Sequence, residues 1–246
     1  MSNKQCYWCE DLATTKEHVP PQCFFPKRKH CDGSVADYRS NLITVPACSK
    51  HNNSRSKDDE YTAAIVAMNS RSDIAFSILK SKWIGALSRG EASLGKRIFF
   101  TAKDVQIISR EGDLLIPRKT LAISYEIERI NCVIESIARA LYYYESGYQE
   151  KWTKNCTVRS PNFLMDDLSK SKDAFEVEQI VQFFSHGEKF QELNIPKKGS
   201  HQEVFYYQLL KTKYGYSVIK MVFYGDFIFI VILGEATVNS SRVLII

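Results

Sequence analysis

Residues 6–60 contain the pattern that decides the fold: Cys6-Tyr-Trp-Cys9, Glu17-His18-Val-Pro20, Asn41-Leu42 and Cys48-Ser-Lys-His51-Asn52-Asn53-Ser54-Arg55. Two pairs of soft metal ligands flank an acid–histidine pair and two asparagines. The segment has little sustained apolar periodicity, so it cannot build much core by itself. A bound metal would supply the missing stabilisation. The rest of the chain has no comparable pattern.

The soft ligands in this stretch predict a structural zinc site. Zinc in such sites takes four nitrogen or sulfur ligands in a tetrahedron. Two pairs at knuckle spacing provide them: Cys6, Cys9, Cys48 and His51. The seven cysteines are an odd number, which fits metal binding better than an even disulfide framework. Cys23, His30 or Cys31 could replace His51, and the competing interpretation is a group of reduced, buried cysteines.

Composition and charge exclude some classes of protein. With 44% hydrophobic residues among 246, the chain is globular rather than disordered. Its net charge of +5 is compatible with a polyanionic partner. A nucleic-acid surface near the motif would need local clustering, for example of residues 27–29, Arg55 and Lys57. The longest apolar run, residues 227–233, is far shorter than a membrane span, and we expect a cytoplasmic protein.

Hydrophobic periodicity and turn residues predict the elements around the motif. Pro20 and Pro21 prevent a helix directly after His18, which we therefore expect on a strand or strand end. Residues 41–45 indicate a short strand, and a short helix should begin near Cys48. Ser56-x-x-Asp59 has the spacing of a capping box for a helix beginning at residues 57–60.

Beyond residue 60 the pattern indicates an α+β unit. The clearest element is an amphipathic helix of roughly 20 residues that begins near residue 127 and ends by Gly147. Another helix is predicted at residues 175–184. Strands are predicted at residues 98–100, 105–108, 114–116, 204–209, 217–224, 227–233 and 242–246.

In order and residue type, the motifs of residues 6–60 resemble the zinc-knuckle ββα-metal core of HNH endonucleases. The resemblance does not extend into the remaining residues. It implies a small zinc-stapled domain at residues 1–60, with one divalent ion held between a strand histidine and a helix residue. Residues 61–246 would then form a larger mixed α+β domain.

The resemblance also implies roles for individual residues. His18 would be the general base that activates water. Glu17 would bind the divalent ion, where the family more often has Asp. Asn41 would fasten the loop between the strands so that His18 points correctly, and Asn52 would complete the ion site. A shift of one residue would move that last role to Asn53.

Two basic residues after the last motif would bind the substrate. Arg55 falls where the family usually has Lys and would contact phosphate, and we group Lys57 with it. Arginine suits this role because its guanidinium binds a phosphate through two parallel hydrogen bonds. Histidine suits general-base catalysis near neutral pH, and carboxylate and amide oxygens favour Mg2+ or Mn2+ over zinc.

These observations favour a metal-dependent endonuclease that hydrolyses DNA, with RNA not excluded. Restriction or anti-phage defence is suggested by association with the family alone. Residues 61–246 would grip DNA, form a homodimer or bind a regulatory protein. The alternative is a non-catalytic zinc module that binds nucleic acid or a partner. A third hypothesis is a regulatory, antitoxin-like protein whose C-terminal part carries the function.

Overall fold

The computed structural model describes residues 4–26, 37–83, 95, 98, 100–111, 114–163, 188–212 and 215–234. Within these ranges the chain is a mixed α+β fold with three small antiparallel sheets. The α+β class predicted from the sequence is therefore confirmed. Four predicted features lie outside the described residues: the basic residues 27–29, the spare ligands His30 and Cys31, the helix at 175–184 and the strand at 242–246.

The N-terminal part consists of a two-stranded sheet followed by a short helix. Strand β1, Thr15–Val19, pairs antiparallel with β2, Ile43–Ala47, and helix α1, Ser49–Asn53, follows directly. In this register His18 lies opposite Thr44. The predicted strand at residues 41–45 begins two residues late, because Asn41 has a φ of 54° and lies in the preceding turn.

Alternation along β1 separates the acid from the histidine. Glu17 and Val19 are buried, whereas Lys16 is exposed and His18 is half-buried. Successive side chains of a strand point to opposite faces of the sheet. Glu17 therefore points inward, and His18 lies on the face that is open to solvent.

Three further helices pack around this unit. Helix α2 spans Ser56–Asn69, and α3, Asp73–Ile78, continues as a π-helical turn, Leu79–Trp83. Helix α4 spans Ile127–Glu145, as predicted, and buries an apolar stripe that includes Ile130, Ile134 and Leu141. The capping-box interpretation was wrong, since Arg55 is the N-cap and no side chain caps α2.

The remaining strands form a long hairpin and a four-stranded sheet. Strands β3, Lys103–Glu111, and β4, Leu114–Ala122, pair with each other. The larger sheet has the order β5–β8–β7–β6, with strands at Cys156–Arg159, Phe227–Leu233, Ser217–Phe223 and Phe205–Lys211. A short helix, α5, spans Glu188–Glu192. The strand predicted at residues 98–100 is not seen at its two described residues, because Ile98 is helical and Phe100 lies in a turn.

One buried cluster joins the N-terminal unit to the C-terminal sheet. Its buried residues come from both parts of the chain, from Cys6 before β1 to Leu233 at the end of β8. The Tyr224 hydroxyl donates to the Phe24 carbonyl oxygen at 2.9 Å, and Asp226 accepts from the Arg71 backbone N–H at 2.7 Å. The division at residue 60 stays a prediction, and the two segments share this core. In the part of the chain described here, no helix is long and apolar enough to span a membrane.

Candidate metal centre and the surrounding residues

Two backbone turns bring the four predicted zinc ligands together. Cys6 and Cys9 lie in the turn before β1, where the Cys6 N–H donates to the Asp11 carbonyl oxygen at 2.9 Å. Cys48 is the N-cap of α1, and His51 follows one turn later. A hydrogen bond from the Tyr7 N–H to the Pro46 carbonyl oxygen, 2.9 Å, holds the two turns side by side.

The ligand atoms have the spacing of a tetrahedral zinc site. Cys9 Sγ lies 3.8 Å from Cys48 Sγ, and His51 Nδ1 lies 3.7 Å from Cys6 Sγ and 3.2 Å from Cys48 Sγ. Usual zinc–sulfur and zinc–nitrogen bond lengths place two sulfurs about 3.8 Å apart and a sulfur and a nitrogen about 3.6 Å apart. All four atoms lie within 4.8 Å of one another. This three-cysteine, one-histidine cluster is therefore consistent with structural zinc.

The pKa values of two side chains in the cluster are shifted from their ordinary values. Burial, and then hydrogen bonding with Cys48 and Cys6, raises the pKa of the Cys9 thiol to about 12. Burial, with Arg55 and Lys50 nearby, lowers the pKa of His51, so that its ring is neutral and able to bind a metal. Zinc binding requires the thiolate form and therefore releases protons from the cysteines.

A layer of cations and aromatic rings covers the cluster. The Trp8 ring stacks on His51 with centroids 5.7 Å apart and an interplanar angle of 24°. The Arg139 guanidinium lies 5.0 Å from the Trp8 ring centroid, and Arg55 lies 5.5 Å from it. These contacts hold the His51 ring in place and tie the cluster to helix α4.

Helix α1 contacts the strand that carries His18. Asn52 Nδ2 donates to the Lys16 carbonyl oxygen at 3.3 Å. Lys16 and His18 are two residues apart on β1, so their Cα atoms are about 6.7 Å apart. Asn52 is thus held at the edge of the strand that carries His18.

The His18 ring is neutral at neutral pH, and one of its nitrogens carries no proton. Burial, and secondarily the charge of Arg39, lowers the pKa of His18 below its ordinary value. His18 Nε2 lies 3.1 Å from Gln22 Nε2, an amide nitrogen that can only donate. His18 Nε2 therefore accepts this hydrogen bond and carries the lone pair of the neutral ring.

Glu17 lies in a buried group of charged residues rather than at the surface. Glu17 and Asp59 are each only 6% exposed, and Glu17 Oε2 and Asp59 Oδ1 have no hydrogen-bond partner. Burial, and then the charge of Asp59, raises the pKa of Glu17 to about 7, although Arg55 opposes this. Burial likewise raises the pKa of Asp59 to about 6. Burial of two carboxylate oxygens without hydrogen-bond partners lowers the free energy of unfolding.

Arg55 and Asn41 have internal contacts. Arg55 Nη2 donates to the Tyr7 hydroxyl at 2.6 Å and to the His51 carbonyl oxygen at 3.0 Å, so the predicted phosphate ligand is turned inward. The Asn41 carbonyl oxygen accepts from Ser200 Oγ at 2.5 Å, which ties the turn before β2 to the C-terminal part. Lys57 is exposed.

Sequence reasoning missed two residues of this region. Asp59 was interpreted as a helix cap. The run of apolar residues that follows it in α2 is a signal that could have placed it on the buried side of the helix. Gln22 follows a pair of prolines, and no spacing rule singles it out. Both assignments depend on which residues meet across the fold.

We expect Glu17→Gln to stabilise the zinc-loaded protein above neutral pH, in the absence of Mg2+ and Mn2+. The folded state binds the Glu17 proton more tightly than the unfolded state, because its pKa is raised from 4.5 to about 7. Stability is therefore lost as pH rises from 4.5 through 7, and the variant should gain roughly 2–3 kcal/mol at pH 8 and little at pH 5. Urea unfolding of both proteins at the two pH values measures the difference.

Glu203→Gln is the matched control for this substitution, because Glu203 is an exposed carboxylate. It should leave the free energy of unfolding within about 0.5 kcal/mol of the wild type at both pH values. Equal stability of Glu17→Gln and the wild type at pH 8 would contradict the account of an unsatisfied carboxylate.

Comparisons with known proteins do not assign the chain to a family. No family model, no curated protein and no solved structure matches the chain. Among the described residues, the three-cysteine, one-histidine cluster is the only group of three or more His, Cys, Asp or Glu side chains close enough to hold a metal. Glu17 is not part of a second such group.

Proposed function

We propose that the chain is a metal-dependent endonuclease of the HNH type that hydrolyses DNA phosphodiester bonds. The observation that carries the proposal is the contact of Asn52 with the Lys16 carbonyl oxygen, beside His18 on β1. It occurs in a strand–strand–helix unit whose ends meet at the zinc-type cluster. The HNH resemblance implies this order of strand, strand and helix beside a zinc cluster.

His18 acts as the general base in this proposal. A water molecule that replaces the Gln22 amide at His18 Nε2 gives its proton to the ring. The resulting hydroxide attacks phosphorus and the bond to the departing oxygen breaks, after which that oxygen takes up a proton. The lowered pKa of His18 favours this role, because a neutral ring is needed before the step.

The HNH resemblance assigns a divalent ion to Glu17 and Asn52, but Glu17 points inward toward Asp59, away from the face of β1 that carries His18. Glu17 Oε2 lacks a hydrogen-bond partner, and Mg2+ needs only one or two carboxylates because it keeps several waters. When bound, the ion would neutralise charge on the phosphate and on the departing oxygen. The nearby Arg55 guanidinium opposes a cation, so the divalent requirement must be tested directly.

Supercoiled plasmid incubated with the zinc-loaded protein tests the activity. We expect nicked or linear product with Mg2+ or Mn2+ and none with a chelator of these ions. The same reaction with a structured RNA of similar length measures the preference between the two nucleic acids. Intact plasmid with every divalent ion, from protein with a full zinc content, would contradict the proposal.

One observation favours a second candidate, a non-catalytic zinc module. Arg55 donates to Tyr7 and His51 rather than facing solvent, so the predicted phosphate contact is not presented. Such a module would contain zinc and bind DNA in a salt-sensitive way without cutting it. The plasmid reaction separates the two candidates.

A further inference from the structure

A polar groove lies beside the strand pair that carries His18. Its volume is about 720 Å3, within the range of about 300–1,000 Å3 found for ligand sites. The groove is bounded by Ile43 at the start of β2, by the end of helix α4 with the turn after it, and by residues 198–200. It therefore joins the N-terminal unit to the C-terminal sheet.

Two tyrosines give the groove aromatic walls. Tyr144 is 37% exposed although it is a large aromatic residue, and its ring centroid lies 5.9 Å from that of Tyr148 at an interplanar angle of 80°. Lys4 Nζ lies 4.4 Å from the Tyr148 ring centroid. Aromatic faces beside a cation are the elements with which proteins stack the bases of single-stranded nucleic acids.

The polar groups of the groove include a carboxylate, a lysine and a tyrosine hydroxyl that are joined by hydrogen bonds. Glu145 accepts from Lys198 Nζ at 2.5 Å and from the Tyr207 hydroxyl at 2.6 Å. A carboxylate at the C-terminal end of a helix repels phosphate but accepts hydrogen bonds from the amino groups of bases. Lys198, whose side chain is 43% exposed, forms an ion pair with Glu145, and its ammonium group has further N–H donors for a phosphate.

The groove is continuous with the proposed catalytic strand pair. The Tyr148 hydroxyl donates to the Thr44 carbonyl oxygen at 3.4 Å, and Thr44 lies directly opposite His18. Opposite residues in an antiparallel pair have Cα atoms about 4.5–5.5 Å apart. A strand cut near His18 would therefore pass the groove within a short distance of the broken bond.

We propose that this groove binds unpaired nucleotides of the substrate, with their bases stacked on Tyr144 and Tyr148. The inference rests on the proposed endonuclease function and narrows its substrate to single-stranded or locally unpaired nucleic acid. Unpaired bases are required because the faces of paired bases are covered by their neighbours in the duplex. Glu145 then contacts base edges, and Lys198 contacts the backbone.

Fluorescence anisotropy with a labelled single-stranded oligonucleotide and its duplex tests the groove. The zinc-loaded protein is used without Mg2+ or Mn2+, so that binding is measured without cleavage. We expect tighter binding of the single strand, weakened about tenfold or more by Tyr144→Ala and little changed by Tyr144→Phe. Phe76→Ala is the matched control, because Phe76 is 65% exposed on helix α3, outside the groove.

The outcomes separate the groove from the cleavage reaction. Unchanged single-strand affinity in Tyr144→Ala, or an equal loss in Phe76→Ala, would overturn the stacking site. Absence of oligonucleotide binding by the wild type would overturn it too. Single-strand binding that depends on Tyr144, together with no cleavage of either the plasmid or the single-stranded oligonucleotide in the presence of Mg2+ or Mn2+, would support the groove and refute the endonuclease.

Discussion

Cys48→Ser is expected to release zinc and unfold the N-terminal unit. Cys48 is 5% exposed, and its Sγ contacts the ligand atoms of both Cys9 and His51. Structural zinc contributes an apparent 10–16 kcal/mol or so in zinc-finger peptides, while a whole domain is stable by only about 5–15 kcal/mol. Loss of the ion therefore removes most of what keeps residues 6–60 folded.

Zinc content and thermal unfolding measure this effect. The wild type should contain one zinc per chain, and Cys48→Ser should contain almost none and melt at a lower temperature. Cys132→Ser is the matched control, because Cys132 is exposed and outside the cluster. A Cys48→Ser protein that keeps its zinc and its melting temperature would refute the ligand assignment.

His18→Ala is expected to lower the cleavage rate by about 100- to 10,000-fold, the usual contribution of a positioned general base. The half-buried ring makes a side-chain contact with Gln22, so its loss should leave the fold and the zinc content unchanged. Added imidazole should restore part of the activity, because it replaces the missing base.

The pH dependence of the reaction provides an independent readout for His18. Protonation removes the base, so activity should fall as pH decreases through the pKa of His18. Burial lowers that pKa from 6.5, which places the acidic limb of the wild-type profile below pH 6.5. The residual activity of His18→Ala should lack this limb. Identical profiles for the two proteins would rule out His18 as the base.

Spacing along the chain was sufficient to predict the metal ligands and the strongest elements. Each pair of ligands lies within one local turn, so its spacing can be recognised in the sequence without knowledge of the tertiary structure. Helix α4 follows from its apolar stripe, and strands β7 and β8 follow from the apolar runs at residues 217–224 and 227–233. In each case the signal is contained in a short window.

Features that depend on contacts between distant segments could not be predicted. Arg55 follows the motif and was expected at the surface, but Tyr7, 48 residues away, accepts its hydrogen bond in the interior. Glu17 was expected at an open ion site, but strand alternation turns it toward Asp59 on helix α2. The groove beside Tyr148 likewise combines segments that are far apart in sequence.

Plasmid cleavage and zinc content measured on the same preparations of wild type and His18→Ala test the central claim most directly. The claim is that a zinc-stabilised strand–strand–helix unit presents His18 to a phosphodiester bond. We predict one zinc per chain in both proteins, and nicked plasmid with Mn2+ from the wild type alone. Equal nicking by both proteins, or an intact plasmid with the zinc-loaded wild type, would contradict it.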